Sequence, residues 1–410
     1  MNAIAEQYVK LVLKVGLYDE GYVDAYYGPK EWLPADSSVD LTDSTIYTKL
    51  NAETDSLLDK LDSLSKLKAN ELETLRFRFL YKQLLAVKSR LFMVFGGTLG
   101  FDEETKSLYD AVSPQFNGEH FDSILTEIGK IIPGSGDLQK RFEQFRNKFI
   151  IPKEKLNDVF RAAIDECRKR TLQHIGLPAD ENFELEYVTG KPWAAYNWYK
   201  GNSFSLIQIN TDLPVYIDRA VDLAAHEGYP GHHVYNALLE KELVRKLGWV
   251  EFSVYPLYSP QSLIAEGTAN HGIDIAFPGE SRIEFEREVL FSIAGLDTSL
   301  TDDYYKVLEL MKNLSFAGNE AARNYLDGKW TREASINWLM KYLLMTKERA
   351  EQRMNFVDHY RGYVINYNLG ESIVADYVKR SLGNDGDEDL RWKIFERLLS
   401  TPQTPSGLIK

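Results

Sequence analysis

The sequence predicts a mainly α-helical protein with one small antiparallel sheet just before a histidine-rich segment. Apolar residues recur with the helical period along most of the 410 residues. Only the stretch 183–210 alternates apolar and polar side chains in the way that strands do. Apolar residues make up 44% of the chain and charged residues 27%, a composition typical of globular proteins that bury a core.

The amino-terminal part of the chain consists of predicted helices. They cover residues 3–17, 51–95 (two or more helices), 104–113, 119–131, 137–149 and 154–175. The segment Ile132 to Gly136 contains Pro133 and Gly134 and interrupts this pattern. We therefore predict an amino-terminal helical lobe at 1–150 and a metal-binding catalytic lobe at 151–410, with one continuous domain as the alternative.

Strand patterns follow. Residues 183–188 and 203–210 alternate, and residues 193–199 between them are rich in aromatic side chains. These three segments predict the small antiparallel sheet. Asp212 and Pro214 then mark the start of a helix that leads into the histidine-rich segment.

The carboxy-terminal part is helical again. Ser259 and Pro260 predict a helix start, and Phe277-Pro278-Gly279 predicts its end, which places a helix at 260–276. Further helices are predicted at 280–296, 302–313, 315–327, 331–346, 348–368 and 371–381, with Gly370 as the break between the last two.

Composition limits the function classes. The net charge of -13 argues against a surface for nucleic acid or anionic membranes. A single cysteine, Cys167, permits neither an intramolecular disulfide nor a cysteine-rich zinc site, so a zinc site would need His and carboxylate ligands. Residues 1–18 form an amphipathic pattern rather than a signal peptide, and the apolar run at 91–95 is too short to span a bilayer. We predict a cytoplasmic protein.

Three of the seven histidines lie between positions 226 and 233, in the segment His-Glu-Gly-Tyr-Pro-Gly-His-His. On a regular helix, the shorter motif His-Glu-x-x-His lets two imidazoles reach one zinc ion, with the glutamate beside them as general base. Here His226 and His232 would point to different sides of a straight helix. His226 and His233 would share a side but lie roughly 10 Å apart. Neither pair could chelate zinc from a straight helix.

Pro230 and Gly231 resolve this difficulty. Proline removes a helical hydrogen bond and clashes with the preceding turn, and glycine permits unusual backbone conformations. A bulge that absorbs two extra residues would bring His232 to the second ligand position. We therefore predict His226 and His232 as ligands, with His233 as the alternative.

A third ligand is expected from a separate helix. Glu266 lies in the predicted helix 260–276, and His271 is its rival. Two histidines and one glutamate would leave an open zinc position for water, whose proton Glu227 could accept.

This segment resembles a bacterial family known as domain of unknown function 885, whose members are regarded as zinc metallopeptidases. The family motif His-Glu-x-x-Pro-Gly-His-His matches residues 226–233, and its later Glu-Gly pair matches Glu266-Gly267. Weaker resemblances cover 21–29 and 360–370. Thr268 departs from the tryptophan that members often carry. The family is similar in turn to the helical zincins, including thimet oligopeptidase and Taq carboxypeptidase, so the resemblance implies a helical zincin fold, a zinc cofactor and peptidase activity.

Helical zincins place a tyrosine or histidine near the oxyanion that forms during hydrolysis. The resemblance therefore favours Tyr367 for this role, with Tyr363 and Tyr199 as alternatives. We expect His233, Tyr363 and Arg361 near the substrate, Arg361 either binding a carboxylate or pairing with a nearby acid.

The predicted function is zinc-dependent hydrolysis of peptide bonds in small or unfolded peptides, which could align along a strand edge in the stretch 196–210. The alternatives are hydrolysis of another amide or ester, and a non-catalytic relict that binds peptides.

Overall fold

A computed structural model describes residues 1–35, 41–65, 69–191, 193–383 and 386–409. The described part is mainly helical with two small sheets, which confirms the predicted class; the helical-zincin type stays a prediction. Its α-helices are α1 (Asn2–Gly16), α2 (Ser44–Leu64), α3 (Glu71–Val94), α4 (Phe101–Tyr109), α5 (Gly118–Ile131), α6 (Leu138–Arg146), α7 (Leu156–Leu172), α8 (Asp218–Leu223), α9 (His232–Leu239), α10 (Pro260–Ala276), α11 (Ser281–Phe285), α12 (Phe291–Ala294), α13 (Thr301–Leu314), α14 (Phe316–Leu326), α15 (Arg332–Tyr342), α16 (Lys347–Tyr360), α17 (Ile365–Leu382), α18 (Glu388–Ser400) and α19 (Pro405–Leu408). Its strands are β1 (Val23–Tyr26), β2 (Asn182–Val188), β3 (Ala195–Gly201), β4 (Phe204–Asn210) and β5 (Val254–Pro256).

The three-stranded sheet is mixed, so the predicted all-antiparallel sheet is wrong. β3 and β4 form an antiparallel hairpin through Asn202 and Ser203, which both have positive φ angles, as the tightest hairpin turns require. β2 pairs on the other side of β4 and runs parallel to it, giving the order β2-β4-β3. β3 is therefore an edge strand of this sheet.

A second sheet joins distant parts of the chain. β1 pairs antiparallel with β5, more than 200 residues later. Close by, Arg76 of α3 makes a buried bidentate ion pair with Glu251, at 2.5 and 3.0 Å. The largest buried apolar cluster contains side chains from Ile4 to Leu408 and so draws on both sides of residue 150. The predicted lobe boundary stays a prediction.

Gly370 does not break a helix, which corrects the predicted boundary. α17 runs through it, and the chain turns earlier, between Tyr360 and Ile365. Gly370 lies instead where α17 crosses α10: a Cβ atom on Gly267 would lie 2.4 Å from the Gly370 carbonyl oxygen. The two backbones touch because neither residue has a side chain.

No helix in the described ranges is long and apolar enough to cross a lipid bilayer.

Candidate metal centre

The histidine-rich segment forms the interruption that the sequence predicts. After α8 the backbone widens into a π-helical turn at Ala224–Gly228, and the α-helix resumes at His232. The peptide bond between Tyr229 and Pro230 is cis. A Cβ atom on Gly231 would lie 1.9 Å from the carbonyl oxygen of His226, so only glycine fits at this point.

The widened turn, the start of α9 and the helix α10 together bring three side chains to one point. The imidazoles of His226 and His232 lie edge to face with ring centroids 4.6 Å apart. Glu266, on α10, faces both of them: its Oε2 atom is 3.3 Å from His226 Nε2 and 3.8 Å from His232 Nε2. One ligand atom from each residue lies within 4.8 Å of the other two.

This donor set fits a zinc ion. Tetrahedral ligand atoms at about 2.0–2.1 Å from zinc lie about 3.3 Å from one another, close to the separations observed. Glu266 Oε2 is buried and has no hydrogen-bond partner, although two imidazole nitrogens face it. An orphaned buried carboxylate oxygen is costly unless a cation or donor satisfies it. Two histidines and one carboxylate also leave a fourth position open.

Asn270 orients the first imidazole. Its Nδ2 atom donates to the carbonyl oxygen of Tyr367 at 3.0 Å, so its Oδ1 atom is the acceptor that faces His226 Nδ1 at 2.9 Å. His226 Nδ1 therefore carries a proton, and Nε2 points toward Glu266. This is the arrangement of a histidine that offers Nε2 to a metal.

Charges around His226 favour its protonated form in the metal-free protein. Burial lowers the pKa of His226, but the Glu266 carboxylate 3.3 Å from its Nε2 atom and the charge of Glu227 outweigh this effect and raise that pKa to about 9. For Glu266, burial is outweighed by the two histidines, and the pKa of its carboxyl falls far below the ordinary value. A bound metal ion would take the place of the His226 proton as the positive charge beside Glu266.

Glu227 lies beside the three ligand candidates. It is mostly buried, lines the same cleft, and its backbone carbonyl accepts a 2.6 Å hydrogen bond from Asn197 Nδ2 of β3. The hydrogen bond ties the π-helical turn to the edge strand. As a lining residue of the cleft, Glu227 can contact a molecule that binds there.

Two tyrosines of the carboxy-terminal region reach the site. The Tyr363 hydroxyl donates to Glu266 Oε1 at 2.8 Å, which occupies the carboxylate oxygen that does not face the histidines. Tyr367 lines the cleft, and burial, with the nearby charge of Glu266, raises its pKa well above the ordinary value. Its phenol is therefore neutral and can donate a hydrogen bond.

Asp24 of β1 adds a further acid to the cleft. Tyr196 donates a short hydrogen bond to it. Burial raises the pKa of Asp24 to about 6, although the Tyr196 hydrogen bond and the charge of His232 act to lower it. The amino-terminal strand thus contributes directly to the site.

His233 does not reach the cleft, contrary to the role near the substrate expected for it. It is fully buried: its Nδ1 atom lies 2.8 Å from Ser205 Oγ and its Nε2 atom 2.9 Å from Glu181 Oε2. Tyr229 and Arg168 also bond to Glu181. His233 follows His232 directly on a resumed helix, so its side chain points about 100° away and packs against the sheet.

Arg361 also lies outside the cleft, contrary to the position near the substrate expected for it from the sequence. Its Nε atom pairs with the buried Glu104 at 2.8 Å, and it does not line the cleft. The structure therefore agrees with the alternative prediction for Arg361, an ion pair with a nearby acid. His271 points toward Phe395 and Asp274 rather than toward Glu266, and the Tyr199 hydroxyl donates to Glu240.

The cleft that holds this site has a volume of about 720 Å³, within the range of small-molecule and short-peptide sites. Its lining includes residues of the edge strand β3 and of the helices α10, α16 and α17. Four polar side chains that line the cleft were not predicted from the sequence: Asp24, Asn197, Asn270 and Arg353. Asn270 alone had a local signal, because it lies one helical turn after Glu266.

Comparisons with known proteins bear on the fold. No family model matches the chain, and no curated protein matches it. A solved structure described as "the putative lipoprotein from Colwellia psychrerythraea" aligns with 92% of this chain and 70% of its own, at 15% identity and a TM-score of 0.57. A second, described as "a putative lipoprotein of unknown function from Shewanella oneidensis", aligns with 88% and 72%, at 14% identity and a TM-score of 0.51.

An M32 carboxypeptidase from Deinococcus radiodurans R1 aligns at 14% identity with all of this chain and 92% of its own. Its TM-score of 0.38 is too low to relate the two functions. The chain therefore shares its fold with the two proteins described as lipoproteins, and its predicted cytoplasmic location stays a prediction.

Proposed function

We propose that this chain is a zinc-dependent peptidase that cleaves short or unfolded peptides, as the resemblance to the domain of unknown function 885 family implies. The observation that carries the proposal is the convergence of His226, His232 and Glu266 on one point, with Glu227 beside them at the base of a cleft. The residues come from three separate elements, the π-helical turn, α9 and α10.

A zinc ion held there would polarise the scissile carbonyl and acidify a water molecule. Glu227 accepts the proton of the attacking water and later delivers it to the leaving amine, as a general base and then acid. Tyr363 and Asn270 position Glu266 and His226. The neutral phenol of Tyr367 donates a hydrogen bond to the developing oxyanion.

Peptide alignment follows from the edge strand. Ala195, Tyr196, Asn197 and Tyr199 of β3 line the cleft, and the outer edge of β3 pairs with no strand among the described residues. An extended peptide can add to such an edge through main-chain hydrogen bonds. The cleft volume of about 720 Å³ admits a short extended segment but no folded domain.

The test is digestion of a mixed peptide library by the zinc-reloaded protein, read by mass spectrometry. We expect cleavage that chelator abolishes, zinc restores and Glu227→Gln lacks. Cleavage that persists equally in chelator and in Glu227→Gln would disprove the proposal.

A further inference from the structure

One basic side chain of the cleft has no carboxylate partner in the described part of the chain. Four basic side chains line the cleft, and three of them pair with carboxylates: Arg219 and Arg282 with Asp222, and Lys312 with Asp274 and Glu371. The fourth, Arg353, has no carboxylate within 4.0 Å among the described residues.

Arg353 belongs to the cleft-facing side of α16. Phe356 and Tyr360, three and seven residues later, line the same cleft, whereas Met354 and Val357 are buried in the core. The guanidinium carbon of Arg353 lies 5.2 Å from the centre of the Phe356 ring, a distance at which a cation is attracted to the ring face. The aromatic ring holds the guanidinium without using its hydrogen-bond donors.

The environment of Arg353 disfavours an unpaired charge. Burial lowers its pKa, and the one neighbour that offsets this effect is the Tyr367 hydroxyl, not a carboxylate. An arginine stays protonated in proteins, so the half-buried guanidinium of Arg353 remains a charge that an anion entering the cleft can pair with. Near the metal group the cleft carries the acids Asp24, Glu227 and Glu266, and the other three basic side chains are already paired, so Arg353 is the basic side chain that a substrate carboxylate can reach without competing with an acid.

We propose that Arg353 binds a carboxylate of the peptide substrate, most directly its free carboxy terminus, and so sets which peptide bond reaches Glu227. The planar guanidinium presents two parallel N–H donors that match a carboxylate. Tyr367 interacts electrostatically with Arg353 and with Glu266 and Glu227, so the carboxylate position and the metal group share a neighbour. The inference rests on the proposed peptidase function and assigns to Arg353 the carboxylate role that Arg361 cannot fill.

Three peptides test the inference with the zinc-loaded protein: one with a free carboxy terminus, the same peptide amidated, and the amidated peptide with one interior Gln changed to Glu. We expect kcat/KM for the free acid to exceed that for the amide at least about tenfold, the scale of hydrogen bonds to a charged group. Arg353→Gln should lose this difference, so that the ratio of kcat/KM between the free acid and the amide falls to about one. Arg353→Lys, which keeps the charge but not the fork, should fall between them. Arg349→Gln, on the same helix but outside the cleft, should keep the preference.

The outcomes separate the two proposals. A preference for the Glu-containing amide supports carboxylate binding with a side chain as its source. Equal turnover of all three peptides by the wild type, or an equal loss on all three in Arg353→Gln, overturns the inference and leaves the peptidase proposal standing. If no peptide is cleaved, the peptidase proposal fails, and calorimetry with zinc-loaded Glu227→Gln decides the inference alone. Equal affinity for the three peptides, or no binding, overturns it.

Discussion

Replacing Gly231 with alanine should weaken the binding of zinc to the protein. The new Cβ atom would lie 1.9 Å from the carbonyl oxygen of His226, whereas real contacts of this kind stay above 3.0 Å. The backbone at His226 must therefore move by about 1.1 Å, several times the tolerance of about 0.2 Å in a metal–ligand distance. Overpacking of this kind costs about 1–3 kcal/mol. If that cost falls on the metal-bound state, zinc affinity drops about 5- to 140-fold.

The matched control is Gly228→Ala. It makes the same substitution three residues earlier, where the nearest atom to a new Cβ is a Phe183 ring carbon at 3.8 Å, an ordinary contact. Both variants would be stripped of metal and titrated with zinc against a chromophoric chelator, with thermal unfolding measured in parallel. Zinc affinity of Gly231→Ala equal to that of the wild type would refute the reasoning that the interrupted helix places His226.

Three further outcomes are expected. Glu227→Gln should bind zinc as the wild type does and lose about 10²–10⁴ in hydrolysis rate; loss of zinc in a titration would make Glu227 a ligand instead. His232→Ala should lose zinc, whereas His233→Ala should keep a zinc site but lower the free energy of unfolding by about 1–3 kcal/mol, because Glu181 loses a buried partner; the reverse pattern in zinc titration and urea unfolding would move the ligand by one residue. The metal-free protein should lose stability as pH rises from 6.5 through 9, because the raised pKa of His226 stabilises the fold only while its imidazole is protonated. Zinc binding near pH 7.5 should therefore release a proton, seen as buffer-dependent heats in calorimetry, and identical heats in two buffers would contradict this.

Local patterns in the sequence predict where helices and strands lie far better than they predict which strands pair with one another. The helical segments and the interruption at Pro230 follow from periodicity and backbone chemistry that act within a few residues. The parallel pairing of β2 with β4 does not, because alternation of side chains is the same for both strand directions. The four-residue β1 carries no signal of its pairing with β5.

The same limit applies within the site. Counting residues through the interruption selects His232 over His233, and Glu266 is the one carboxylate in the stretch 264–271, so the three ligands can be predicted from the sequence. Which of Arg353 and Arg361 lines the cleft cannot be predicted in this way, because it depends on how α16 and the turn that follows it pack against the rest of the protein. Tertiary packing, not spacing, decides that question.

The direct contact of α10 and α17 at Gly267 and Gly370 fixes how the site can move. Glu266 is next to this contact in sequence, and Tyr367 precedes it by less than one turn of α17. With no side chain between the two backbones, repacking cannot slide one helix relative to the other. Glu266, the proposed metal ligand, and the Tyr367 hydroxyl, the proposed oxyanion donor, therefore move together as one rigid body. If the cleft widens to admit a peptide, we expect the hinge to lie outside this pair of helices.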